Sequence, residues 1–182
     1  YFELYNEPDN ADINHAIIGG WGYWGHNGSG YAELLQELHP VIKEASPHAN
    51  LVFGGISLDY FEPGGVFDPQ FLDDVLAACQ GHECFDAMNF HYYPFFRSTW
   101  EPYGVDVIGK TNYVRQKLAT YGFGETPVIC TETGWPSNVA WGSYELQSRY
   151  VIKGYVRSKA ADLAVWIWYA VRDVDSSHPG LL

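Results

Sequence analysis

The segment YFELYNEPDN, residues 1–10, alternates apolar and polar side chains and then halts at Asn6-Glu7-Pro8. Such a run reads as a β-strand whose C-terminal end delivers a carboxylate. Four further apolar runs follow it: NLVFGGI (50–56), CFDAMNFHYY (84–93), TPVICTE (126–132) and DLAVWIWYAV (162–171). Near-continuous stretches rich in β-branched and aromatic residues are what strands covered on both faces require. Helical patterns lie between them, over 31–45, 68–81, 105–122 and 142–160. Strands alternating with helices, without hairpin signals, predict parallel βαβ units in one α/β domain spanning 1–182.

The helices carry their own punctuation. In 31–45, Leu34, Leu35, Leu38, Val41 and Ile42 recur at helical spacing, and Pro40 predicts a kink or break. In 68–81, Asp68 reads as the N-cap, Pro69 as the first helical residue and Gly81 as the stop. Ser143, with Glu145 and Gln147 close behind, marks the start of the last helix. Two long loops, residues 9–30 and 94–104, follow the first and third strands. Both are rich in Trp, Tyr and Gly, and both leave the strand ends where sites of α/β folds are built.

Composition narrows the partners. The chain has 22 acidic against 10 basic residues, a formal charge of −12, so phosphate backbones and anionic lipid heads are repelled. Neither nucleic acid nor membrane is expected as a partner, and no apolar run approaches the ~20 residues that span a bilayer. The 7 Trp and 14 Tyr exceed what a core of this size needs, and flat aromatic faces suit sugar rings. Cys79 and Cys84 stand either as a small disulfide loop of an oxidising, secreted setting or as two thiols; Cys130, inside an apolar run, reads as a buried hydrophobe.

Glu7 and Glu132 occupy equivalent places, each at the C-terminal end of an apolar strand and ahead of a Gly- or Pro-containing loop. Taken singly, either reads as a loop-edge residue bonded to backbone N–H groups. Two such carboxyls converging on one mouth are the minimum apparatus for cleaving a glycosidic bond. One protonates the leaving oxygen; the other attacks or activates water. A divalent-metal site is not expected, because no third acidic ligand or histidine is read at a matching strand end, and no cofactor is expected either.

FELYNEP (2–8) resembles the acid/base motif that ends the fourth barrel strand in retaining glycoside hydrolases of clan A, closest to families 39 and 5. VICTETGWPS (128–137) is similar to the nucleophile motif of strand seven, above all in family 17 β-1,3-glucanases. FHYYP (90–94) resembles the His-x-Tyr of strand six, and WIWYAV (166–171) the tryptophan-bearing strand eight. Four motifs in chain order carry the resemblance.

That resemblance implies a partial (β/α)8 TIM barrel comprising strands four to eight. Glu7 would be the acid/base, with a raised pKa, and Glu132 the nucleophile. Asn6 would bond the sugar 2-hydroxyl, Tyr93 would hold Glu132, and Trp168 would floor the sugar. Trp166 reads as core, Trp135 as either, and His91 as a sugar contact or a satisfied core histidine. Trp21 and Trp24 are expected to stack on sugars at outer subsites.

Retention requires the two carboxyls roughly 5–5.5 Å apart. A complete barrel has eight strands in ~250 residues, so the first three are absent here. The first and last strands are then open edges, for which a homo-oligomer or a missing N-terminal segment is expected as cover. An oligo- or polysaccharide is the expected substrate; a non-catalytic carbohydrate-binding remnant is the alternative.

Overall fold

The computed structural model describes residues 1–11, 24–59, 66–137 and 142–169. Along them run the strands β1 (Phe2–Asn6), β2 (Leu51–Gly55), β3 (Met88–Tyr92), β4 (Val128–Thr133) and β5 (Val165–Trp168). Helices α1 (Gly28–Ala45), α2 (Phe71–Ala78), the single-turn α3 (Arg97–Trp100), α4 (Val107–Thr120) and α5 (Tyr144–Ala160) alternate with them. All three ladders, β1–β2, β3–β4 and β4–β5, are parallel. Bridges Val52–Ala87 and Ile56–Phe90, with the hydrogen bond from His91 N to Ile56 O, join β2 to β3. The five strands therefore stand side by side in chain order, and among the described residues the sheet does not close. The apolar runs predict such parallel βαβ units, and the arrangement is the partial (β/α)8 barrel that the resemblance implies.

Burial follows position in the sheet. Every residue of β2 and β3 is buried, whereas β1 and β5 lie at the edges, with Phe2 59% and Ile167 47% exposed. The main core fills the space between sheet and helices. Tyr31 of α1 stands 5.3 Å from Phe53 of β2 and 5.5 Å from Phe71 of α2, ring centre to ring centre. Each such ring removed from water contributes about 1.5–3 kcal/mol.

The helix boundaries differ from the sequence pattern for local reasons. Helix α1 begins three residues early because Asn27 Oδ1 accepts from Gly30 N at 3.0 Å. It also runs through Pro40 without the break that is one of the two expected outcomes there; Pro40 is exposed, and one forfeited backbone bond is outweighed by the buried face of Tyr31, Leu35 and His39. Asp68 does start a turn, accepting from Gln70 N at 2.9 Å, but the helix itself begins at Phe71. Ser143 caps α5 as read, accepting from Leu146 N at 3.2 Å.

Asp106 ties three elements together. It caps α4 through Val107 N at 3.0 Å, accepts from the hydroxyls of Tyr92 and Tyr150, and pairs with Arg157 of α5. Cys79 and Cys84 form a disulfide between α2 and β3, and Cys130 is a buried free thiol. Among the described residues no helix is long and apolar enough to cross a membrane.

Candidate active site

The C-terminal ends of β1, β3 and β4 converge on a cluster of ionisable groups. One atom each from Glu7, His91 and Glu132 lie within 4.8 Å of one another. The pairing that aligns β3 with β4 sets His91 directly beside Glu132, across a register shift after Phe90. Alternation along β3 puts Asn89 and His91 on one face and Phe90 and Tyr92 on the other. Asn89 is fully buried and bonded to Thr131 of β4 by both ends of its carboxamide, at 2.7 and 3.1 Å.

His91 is 2% exposed and is enclosed by carboxylates. Its Nδ1 lies 3.1 Å from Glu7 Oε1 and 3.9 Å from Glu132 Oε2, and its Nε2 lies 3.9 Å from Glu3 Oε1. Burial alone would favour the neutral ring. Hydrogen bonds with Glu3 and Glu7 and the charges of Glu132 and Glu7 overcome it and push His91 up to about 9. The ring has room only because residue 55 is glycine: a Cβ there would come within 2.1 Å of Nε2.

Glu132 accepts from the Tyr93 hydroxyl at 2.6 Å, the contact that the resemblance implies. Burial, followed by the charge of Glu132, raises the Tyr93 phenol, so it stays protonated and keeps donating. Glu7 departs from expectation. Burial pushes its carboxyl up, but hydrogen bonds from His91 and Ser57 and the charges of His91 and Lys110 bring it below its ordinary value. In the free protein the proton therefore sits on His91 and Glu7 is ionised. Both donors engage Oε1 of Glu7, so Oε2 makes no hydrogen bond among the described residues.

Ser57 is itself held at three points. Its N–H donates to Asp9 Oδ1 at 3.0 Å, its carbonyl accepts from the buried Lys110, and its hydroxyl donates to Glu7. Asp9 Oδ2 also accepts from Leu58 N at 2.7 Å, and burial pushes the Asp9 carboxyl up to about 7. Lys110 is paired with Asp59 at 2.9 Å. Around this grip three non-glycine residues adopt left-handed backbone, Tyr5 (φ 70°), Glu7 (45°) and Leu58 (40°). Each costs of order 1–3 kcal/mol and persists where its surroundings over-determine it.

The aromatic candidates divide. Trp135 lies 5.0 Å from Phe95 and 5.5 Å from Tyr150, and Trp168 lies 6.2 Å from the same Tyr150, ring to ring. The indole N–H groups of both, like that of Trp166, are buried with no hydrogen-bond partner among the described residues. Trp166 packs on Gly154, where a Cβ would stand 3.1 Å from its ring, as core. Trp24 packs edge-on to Tyr31 at 5.8 Å, against the core. Asn6 is exposed at the end of β1, and Trp21 lies outside the described residues.

Three residues escaped sequence reading. Glu3 shares the parity of Glu7 along β1 and could have been found by alternation; Ser57 and Lys110 carry no motif. The ground for setting a metal aside also needs correcting, since His91 does join the two carboxylates at a strand end. A cation held by these three would have to displace the proton that His91 carries.

No family model matches the chain, and no curated protein matches it. Solved structures do. A glucosidase from Croceicoccus marinus superposes with a TM-score of 0.66 at 17% identity, over 100% of this chain and 35% of that one. A GH128 (subgroup II) endo-β-1,3-glucanase from Sorangium cellulosum gives 0.61 at 19% identity, over 100% and 63%. A glycoside hydrolase family 17 β-1,3-glucanosyltransferase from Rhizomucor miehei gives 0.53 at 17%, over 85% and 51%. The chain thus spans between about a third and two thirds of these proteins. The likeness shows the fold alone, a part of a (β/α)8 barrel such as these glycoside hydrolases have.

Proposed function

We propose that the chain carries the acid/base and nucleophile of a retaining glycosidase acting on a β-linked glycan. The observation that carries this reading is the approach of Glu7 and Glu132, with carboxylate oxygens within 4.8 Å across the mouths of β1 and β4. That is nearer the ~5–5.5 Å of retaining enzymes than the ~6.5–9.5 Å that leaves room for an inverting water. β-1,3-Glucan is the first substrate to try: TETGWPS resembles the family 17 segment, and two of the structural relatives are named for β-1,3-glucan chemistry.

In the first half-reaction Glu132 attacks the anomeric carbon as the glycosidic bond breaks, and Glu7 protonates the departing oxygen from Oε2. Substrate binding strips water from the mouth and raises the proton affinity of Glu7, which takes up a proton from solvent on Oε2 before the bond breaks and returns one to solvent after product leaves. Its Oε1 remains anchored by Ser57 and His91. Esterification removes the negative charge of Glu132, which favours the ionised Glu7 that the second half needs. Glu7 then takes a proton from water, water attacks the anomeric carbon, and Glu132 is released as carboxylate. The unpartnered indole N–H groups of Trp135 and Trp168 can donate to sugar hydroxyls.

The second reading, sugar binding without turnover, is favoured by the open sheet and by the ionised Glu7 of the free protein. Incubation with an activated 2-deoxy-2-fluoro β-glucoside separates the two. Mass spectrometry should find one sugar esterified to Glu132, and Glu132→Gln should neither label nor hydrolyse aryl β-glucosides. Equal background rates in wild type and Glu132→Gln would overturn the hydrolase, and an α-configured first product would overturn retention.

A further inference from the structure

On the helical outer face, away from the carboxylate cluster, a groove of about 700 Å³ runs between α2 and α4. Its size falls within the ~300–1,000 Å³ typical of small-ligand sites. Tyr103, Tyr113 and Tyr121 line it. Tyr113 is nearly buried and meets Tyr103 edge-to-face at 5.0 Å, so it forms a fixed wall; Tyr103 and Tyr121 are half-buried.

The charged groups of the groove are spent on each other. Lys117 Nζ lies 2.6 Å from Asp73 Oδ2 and stands 5.4 Å over the Tyr113 ring. A salt-bridged pair offers no net charge to an ionic ligand. The carboxamide of Gln116 is exposed and makes no hydrogen bond among the described residues, so one donor group and one acceptor face the solvent beside the aromatic wall. A purely apolar ligand would leave these polar groups unmatched. Flat rings, amide donors and acceptors and a neutral balance together fit a polyhydroxylated ring with an apolar face.

We propose that this groove is a second carbohydrate-binding site, which holds a β-glucan chain apart from the point of cleavage. The glycan class rests on the function proposed above; the groove does not share residues with that site. Tethering a polymer at a second point raises its effective concentration at the first.

Affinity electrophoresis tests it, in gels containing laminarin, mixed-linkage β-glucan or glucomannan, on the Glu132→Gln background. Retardation is expected in at least one gel, and adding Gln116→Ala or Tyr121→Ala should weaken apparent affinity at least threefold. Tryptophan fluorescence on titration with laminaritriose should be unchanged by these substitutions, because the groove contains no tryptophan. Gln116 is exposed, so its variant keeps the test valid if Tyr121→Ala misfolds. Absence of retardation in all three gels, or equal retardation of parent and groove variants, would overturn the proposal. Groove-dependent retardation by a wild type that hydrolyses nothing would sink the hydrolase and leave the groove standing.

Discussion

Ser57 Oγ donates a hydrogen bond to Glu7 Oε1, although the two residues are 50 positions apart. The contact forms because Asp9 and Lys110 fix the Ser57 backbone on either side of the hydroxyl. Glu7 is thereby oriented by the segment after β2 as well as by its own.

Ser57→Ala removes one hydrogen bond to a charged group, worth about 1.5–3 kcal/mol in a buried setting. The backbone grip stays, so the protein should fold. The Glu7 carboxyl is expected to titrate at higher pH, and kcat for an aryl β-glucoside to change about tenfold. A pH profile of kcat/KM identical to wild type would refute this orientation role.

His91 makes stability depend on pH in a definite direction. Its folded pKa of about 9 lies above the ordinary 6.5, so its contribution is complete below about pH 6.5 and is lost as pH rises through 9. The whole span amounts to about 3 kcal/mol. Urea unfolding between pH 6 and 9.5 should show wild type losing stability over that window. His91→Asn, lacking the group, should show a flatter curve.

Gly55→Ala should be costly, whereas Gly122→Ala should not reach the site. A methyl at 55 would meet His91 Nε2 at 2.1 Å and Cδ2 at 2.3 Å, forcing the ring off Glu7. A loss of roughly 1–3 kcal/mol together with a fall in turnover is expected. At Gly122, φ is +90° and nothing lies within 4 Å, so only backbone strain of about 1 kcal/mol is expected, with activity kept. Thermal melts and assays of the two variants side by side check the contrast.

Among the described residues β5 is paired on one side only, and we propose self-association. On α5, which precedes that strand, Ile152 is 71%, Tyr155 47% and Val156 64% exposed, at helical spacing. Sedimentation velocity should show a concentration-dependent dimer that Ile152→Glu/Val156→Lys dissociates. A monomer at every concentration would count against it.

How much of this was legible beforehand varies with the kind of interaction. Glu7, Glu132 and Tyr93 stand at strand ends beside turn residues, where local pattern and position coincide. The strand order followed from the alternation of periods. Ser57, Lys110 and Asp9 act through contacts between chain segments about 50 residues apart, which leave no local pattern. The ionisation of Glu7 is not legible for the same reason, since its sign depends on Ser57 after β2, His91 of β3 and Lys110 of α4. At Pro40 tertiary burial of α1 overrides a local penalty, and the helix is not broken there.

The Cys79–Cys84 bond closes the turn that leads into the N-terminal end of β3, while the carboxylates gather at the opposite end of the same strand. Robustness and chemistry are therefore housed at different poles of the molecule. A change of redox surroundings reaches the first pole without touching the second. Production in a reducing cytoplasm should yield a less heat-resistant protein whose carboxylate cluster is already assembled.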